Sequence, residues 1–306
     1  MFYEFATRGQ MVSPYYYNCT GTSPFTESKP IVGAIYMSIG VISQIIYVLA
    51  LYTIFRSPSL FTHPCYKIMF FLGIPDVLCL IFCADLAGFY SIYGLHPCYA
   101  INFTFVTGCI CFGLFRTQNI NGFVYSGLWH MSCMYVLLLA FNRVCELIAP
   151  SQCAFLFRSS YFKCLLFLPV FYFIYFTFFT KPTFFQPSVS AFLLNPMSEV
   201  TKNFPAEYYT VQAYVFNNFF VMFFIGTCYI IICSYLIIES WKSQIKQTSA
   251  LVKRVTYQCL IVCTCHFIGC FLYVYIQYFS MPDVLNYVCH FAWIGNHSEF
   301  TGTFVD

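Results

Sequence analysis

The chain has 306 residues, of which 60% are hydrophobic, 22% aromatic and only 8% charged, with a formal net charge of +3. Soluble domains carry about 25% charged residues, so these side chains cannot coat a water-facing globule. The length is better counted in bilayer spans of about 20 residues, and nucleic acid is not an expected partner.

Residues 1–30 hold no apolar run that would serve as a signal peptide, and they contain the glycosylation sequon Asn18-Cys19-Thr20. They read as an extracellular amino-terminal segment. The uncharged stretch Ile31 to Phe55 is the first span and acts as a signal anchor. A second span runs from Ile68 to Tyr90, interrupted by Asp76 and Asp85. Tyr99 to Phe115 is short, carries Asn102, Thr104, Thr107 and Gly108, and is closed by Arg116-Thr117-Gln118-Asn119, so it is not expected to cross. Phe123 to Phe141, Cys164 to Thr180, Tyr208 to Ile238 and Val255 to Pro282 follow without a formal charge. After Asp283, Val284 to Ser298 rises only about 22 Å at 1.5 Å per residue, against about 30 Å of hydrocarbon. Residues 31–298 thus read as a seven-helix transmembrane domain with an incomplete last helix, followed by a short atypical end at 299–306. Continuous apolar runs of this length are helices, because barrel strands are about 10 residues long and alternate in polarity.

With seven spans and the amino terminus outside, the inner loops hold Arg56, Lys67, Arg143, Arg158, Lys163, Lys242, Lys246, Lys253 and Arg254. That is roughly a threefold higher density of basic residues than in the outer segments, the positive-inside pattern. An eight-span chain with its amino terminus inside gives the same count of inner basic residues. It strands Arg56 and Lys67 outside and puts the Asn18 sequon where it is useless. Most of the 18 cysteines lie within spans and act as small hydrophobes. Cys263-Thr264-Cys265-His266 lacks the grouping of a zinc site, and neither metal nor cofactor is expected. Cys19 and Cys98 are the clear extracellular cysteines, either bridged or left as two thiols.

Several short strings then arrive in a specific order: Tyr17-Asn18-Cys19, Cys65-Tyr66-Lys67-Ile68-Met69-Phe70, Leu72-Gly73-Ile74-Pro75-Asp76, Leu139-Ala140-Phe141-Asn142-Arg143, His266-Phe267-Ile268-Gly269 and Trp293-Ile294-Gly295-Asn296-His297. In this order they resemble the nematode serpentine receptor class T (Srt) family, grouped with G-protein-coupled chemoreceptors. The resemblance implies an all-α seven-transmembrane bundle of rhodopsin-like topology, a small-molecule ligand, a heterotrimeric G protein as partner and a plasma-membrane location, including that of sensory neurons. The chain departs from it in apparent extra sequence at 104–121, an inserted segment or a product of faulty exon assignment. It departs again in the ending, which lacks an Asn-containing inner half of the seventh helix.

Asp76 lies about 12 Å into the second span, where a carboxylate is costly and marks function. The resemblance places the matching acid in a network of the second, third and seventh helices. Asp85, about 25 Å along, reads as a solvated rim residue or a pocket wall. Arg143 reads as the end of the third helix, where snorkelling explains it; the resemblance implies coupling to a G protein, with Asn142 before it where many receptors have an acid. Glu146, on the same helical face, is the substitute partner. Lys242, Lys246, Lys253 and Arg254 form an inner basic run suited to a G protein or anionic lipid. The resemblance implies a pocket in the outer halves of the third, fifth, sixth and seventh helices, for which Trp129, His130, Asn217, Asn218, His266, Tyr273 and His290 are the candidates.

A transporter would show half-repeats, broken helices and several membrane charges. A degenerate or misassembled chain that inserts without signalling is the other alternative, because the seventh helix shows no polar inner half to join Asp76 and Arg143. No enzyme is expected, since no catalytic motif falls within a span.

Overall fold

The computed structural model describes residues 27–95, 120–158, 161–180, 183–193, 210–242, 264–276, 278–279 and 282–298. Helix α1 spans Pro30–Arg56, α2 Pro58–Thr62 and α3 Pro64–Tyr93. Then come α4 Ile120–Ile148, α5 Pro150–Arg158 and α6 Tyr161–Phe179. Strands β1 Phe184–Gln186 and β2 Ala191–Leu193 precede α7 Gln212–Lys242, α8 Thr264–Ile276 and α9 Asp283–Ser298. The seven sequence spans correspond to α1, α3, α4, α6, α7, α8 and α9. Among the described residues, five helices are long and apolar enough to cross a membrane, and α8 is a shorter apolar helix.

Local chemistry sets the helix ends. α1, α2 and α3 each begin with proline in the first turn, where its missing N–H removes one of the donors that a helix start leaves unpaired. α3 closes on Gly94 at φ 61, a left-handed cap that glycine adopts without a Cβ penalty. The third span does not stop at Arg143 as its charge suggests. It runs to Ile148, and only Pro150, which disfavours a helical Ala149, ends it.

α1 shows how the bundle is built. Gly33, Tyr36, Gly40, Ser43, Tyr47, Ala50 and Ile54 are buried at spacings of three and four. Ile31, Ile42, Ile45, Leu49 and Tyr52 are largely exposed. Small and polar residues inside with aliphatic residues outside suit a helix facing hydrocarbon. α1 and α3 approach each other closely: a Cβ at Gly33 would lie 2.4 Å from the Gly88 carbonyl oxygen.

α4 is the central helix, packing against α6, α3 and α7, while α9 closes the bundle against α1 and α3. α3 itself is irregular. Pro75 interrupts its hydrogen bonding beside Asp76, and a π-helical turn occupies Ile81–Leu86. A β-hairpin adds to the helical plan, pairing Phe184 with Leu193, Phe185 with Phe192 and Gln186 with Ala191. Residues 104–119, 299–306 and the short apolar stretch Tyr99 to Phe115 lie outside the described residues, whereas residues 120 and 121 already belong to α4.

Candidate functional site

Asp76 is 3% exposed and receives three donors from three other helices. Tyr47 of α1 donates its hydroxyl to Oδ2 at 2.6 Å. Ser132 of α4 donates to Oδ1 at 2.8 Å, and Nδ1 of His297 in α9 lies 2.8 Å from the same oxygen. The indole N–H of Trp293 donates to His297 Nε2 at 3.1 Å, so that nitrogen is the acceptor and the imidazole proton sits on Nδ1, facing Asp76. A buried carboxyl group is tolerable when donors satisfy it, and here one from each of α1, α4 and α9 does so.

His297 corrects the expectation that the seventh helix, lacking a polar inner half, has no partner for Asp76. The signal was in the sequence: His297 follows Trp293 by four residues and therefore shares its helical face. Tyr47 and Ser132 carried no such signal, being ordinary residues in apolar spans. Asp85, read as a solvated rim residue or a pocket wall, is half-buried against α1, where Gln44 Nε2 donates to Oδ2 at 2.6 Å.

The candidate pocket residues fall into three neighbourhoods. The first surrounds Trp129, whose ring lies 6.1 Å from His266 in a stacked arrangement, 5.4 Å from Trp293 and 5.5 Å edge-on from His297. Trp129 Nε1–H donates to Asn218 Oδ1 at 3.4 Å, Asn217 Nδ2 donates to the same oxygen at 3.1 Å, and Tyr172 donates to Asn217 Oδ1 at 3.0 Å. Tyr273 packs edge-on against Trp293 at 4.1 Å. His266 also lines a crevice of about 250 Å³ between α7 and α8 with Met222, Ile225, Gly226, Thr264 and Phe267.

The second neighbourhood is aromatic: His130 stacks on Phe176 at 3.4 Å and leans on Tyr214 at 4.5 Å. In the third, His290 sits among α1, α3 and the hairpin. Its Nε2 lies 2.8 Å from the Cys83 carbonyl oxygen in the π turn, and its ring lies 4.8 Å from Tyr36 and 6.1 Å from Phe192.

Arg143 Nη1 lies 3.6 Å from Glu146 Oε2, with both side chains about one third exposed. Such a pair contributes at most about 1 kcal/mol. Asn142 is fully buried beside it. Lys242 is the last residue of α7, with its side chain outside the described residues, as are Lys246, Lys253, Arg254, Asn18, Cys19 and Cys98. No cluster of three potential metal ligands exists among the described residues.

One family description matches nearly the whole chain, residues 1–301: serpentine type 7TM GPCR chemoreceptor Srt. The chain belongs to this family. The Srt chain is therefore a multi-pass membrane protein of the seven-transmembrane serpentine class, from a family of receptors and not of enzymes. No curated protein matches it.

Proposed function

We propose that this Srt protein binds a small extracellular ligand and signals through a heterotrimeric G protein. One observation carries the reading. Packed side chains run from the crevice wall at His266 through Trp129 to His297, which bonds Asp76 and through it α1, α3 and α4. A ligand shifts a two-state bundle only by its differential affinity for the two states. Occupancy of the crevice bears on Trp129, and Trp129 bears on the contact that holds α9 to the other helices. Asp76 and His297 are then the switch, with Asn142, Arg143 and Glu146 at the inner end of α4. The basic residues Lys242, Lys246, Lys253 and Arg254 meet the G protein. The amino terminus faces outward with Asn18 glycosylated, and the protein works in the plasma membrane.

The alternative of an inserted but silent chain rests on the missing polar inner half of the seventh helix, and the contact of His297 with Asp76 favours the signalling reading. Expression in cells reporting each G-protein class, challenged with small volatile and lipid-like molecules, tests the proposal. Ligand-evoked activation is expected in the native chain, reduced at least about tenfold in potency by Trp129→Ala at equal surface amount, the loss of one buried aromatic contact. Uptake of a ligand without any G-protein response would favour a transporter.

A further inference from the structure

Lys29, immediately before α1, joins four elements at one end of the bundle. Its N–H donates to the Ser91 carbonyl at the end of α3, at 2.7 Å, and its carbonyl accepts from Gly33. Its ammonium donates to the Ser188 carbonyl in the hairpin turn and to the Tyr287 hydroxyl of α9 at 2.6 Å, and it lies 5.2 Å from the Tyr287 ring centre.

The hairpin it holds lies across the bundle. Phe185 packs on Tyr90 at 5.4 Å, Phe192 on His290, and Val189, Ala191 and Leu193 against Ile276 of α8. Two polar groups lie buried in the region that it covers. The Tyr36 hydroxyl and His290 Nδ1 have no hydrogen-bond partner.

We propose that Lys29 latches the hairpin as a lid, and that a ligand bearing a carboxylate opens it by taking the ammonium from Ser188 and Tyr287. Both present acceptors are neutral, and no carboxylate pairs with Lys29 among the described residues. Each present bond has one ionised partner, and a carboxylate adds a full opposite charge whose attraction for the ammonium neither a carbonyl nor a phenol supplies, so it outcompetes both. Releasing Ser188 frees the turn, and releasing Tyr287 frees the outer end of α9. The proposal rests on the reading that this end faces outside the cell.

Ala191 of β2, 1% exposed, is replaced in every chain compared (Ala191→Cys) to report lid opening. Intact cells are treated with a membrane-impermeant maleimide, and modification at residue 191 is read by peptide mass spectrometry at matched surface amounts. Lys29→Met should react about tenfold faster than the native chain, the effect of losing one charged hydrogen bond. Lys29→Arg should stay slow, and Tyr287→Phe should fall between. Hexanoate should accelerate the native chain, hexanol at the same concentration should not, and neither should affect Lys29→Met. Equal rates in the native chain, Lys29→Met and Tyr287→Phe would overturn the latch. Equal effects of hexanoate and hexanol would overturn the carboxylate opener. A Lys29→Met difference that appears only in permeabilised cells would overturn the outward orientation while leaving the latch contacts intact.

Discussion

Replacing Asp76 with alanine is expected to lower the thermal midpoint of the detergent-solubilised protein by about 10 °C. The substitution takes the carboxylate acceptor away from the Tyr47 hydroxyl, the Ser132 hydroxyl and His297 Nδ1–H. Each buried donor without a partner costs about 1–3 kcal/mol, and 1 kcal/mol moves the midpoint by about 2–4 °C in a protein of this order of size. Asp76→Asn should lose much less. Its Oδ1 still accepts, and a hydroxyl can turn to accept from the new amide. The order native, Asn, Ala is therefore the diagnostic result. An alanine variant melting within about 2 °C of the native protein would mean that the three contacts contribute little.

The second large effect lies away from the site. Gly33→Leu is expected to abolish delivery to the cell surface, because its Cβ meets the Gly88 carbonyl at 2.4 Å and the Ile92 nitrogen at 3.0 Å. Both are backbone atoms of α3, so relief requires the two helices to separate. Close approach through small residues is what holds helices together where hydrocarbon provides no hydrophobic drive. Gly226→Leu is the control, since a Cβ there meets nothing within 4 Å. Surface amounts measured by labelling should differ by more than about tenfold between the two, as expected when packing worth several kcal/mol is lost. Equal amounts would contradict the packing account.

The spans were legible because hydrocarbon imposes a one-dimensional rule: a helix that crosses must be apolar for about 20 residues. The run Ile31 to Phe55 and the helix Pro30–Arg56 differ by one residue at each end. Asp76 was legible for the same reason, as a carboxyl group where none is free of cost. Its partners were harder to find. Tyr47 is one of 26 tyrosines, and its role depends on which face of α1 turns toward α3. Neither composition nor spacing gives that rotation. The hairpin was missed because its turn lacks glycine, and Ser190 takes φ 49 in its place. The π turn at Ile81–Leu86 was likewise invisible, as neither proline nor glycine lies within it. Arg143 misled as a helix end because a charge marks the membrane boundary, whereas a helix continues into water until something such as Pro150 stops it.

The central claim is that the contact between His297 and Asp76 sets the balance of signalling states, and basal activity tests it without a known ligand. Membranes carrying equal amounts of the native chain or His297→Phe are mixed with each class of purified heterotrimeric G protein, and nucleotide exchange is measured. Removing one buried hydrogen bond between α9 and α3 should shift the two-state balance by about tenfold. The account predicts receptor-dependent exchange that differs severalfold between the two chains for at least one class, with Asp76→Asn shifted in the same direction. Exchange that is receptor-dependent yet identical in all three, or absent with every class, would contradict it.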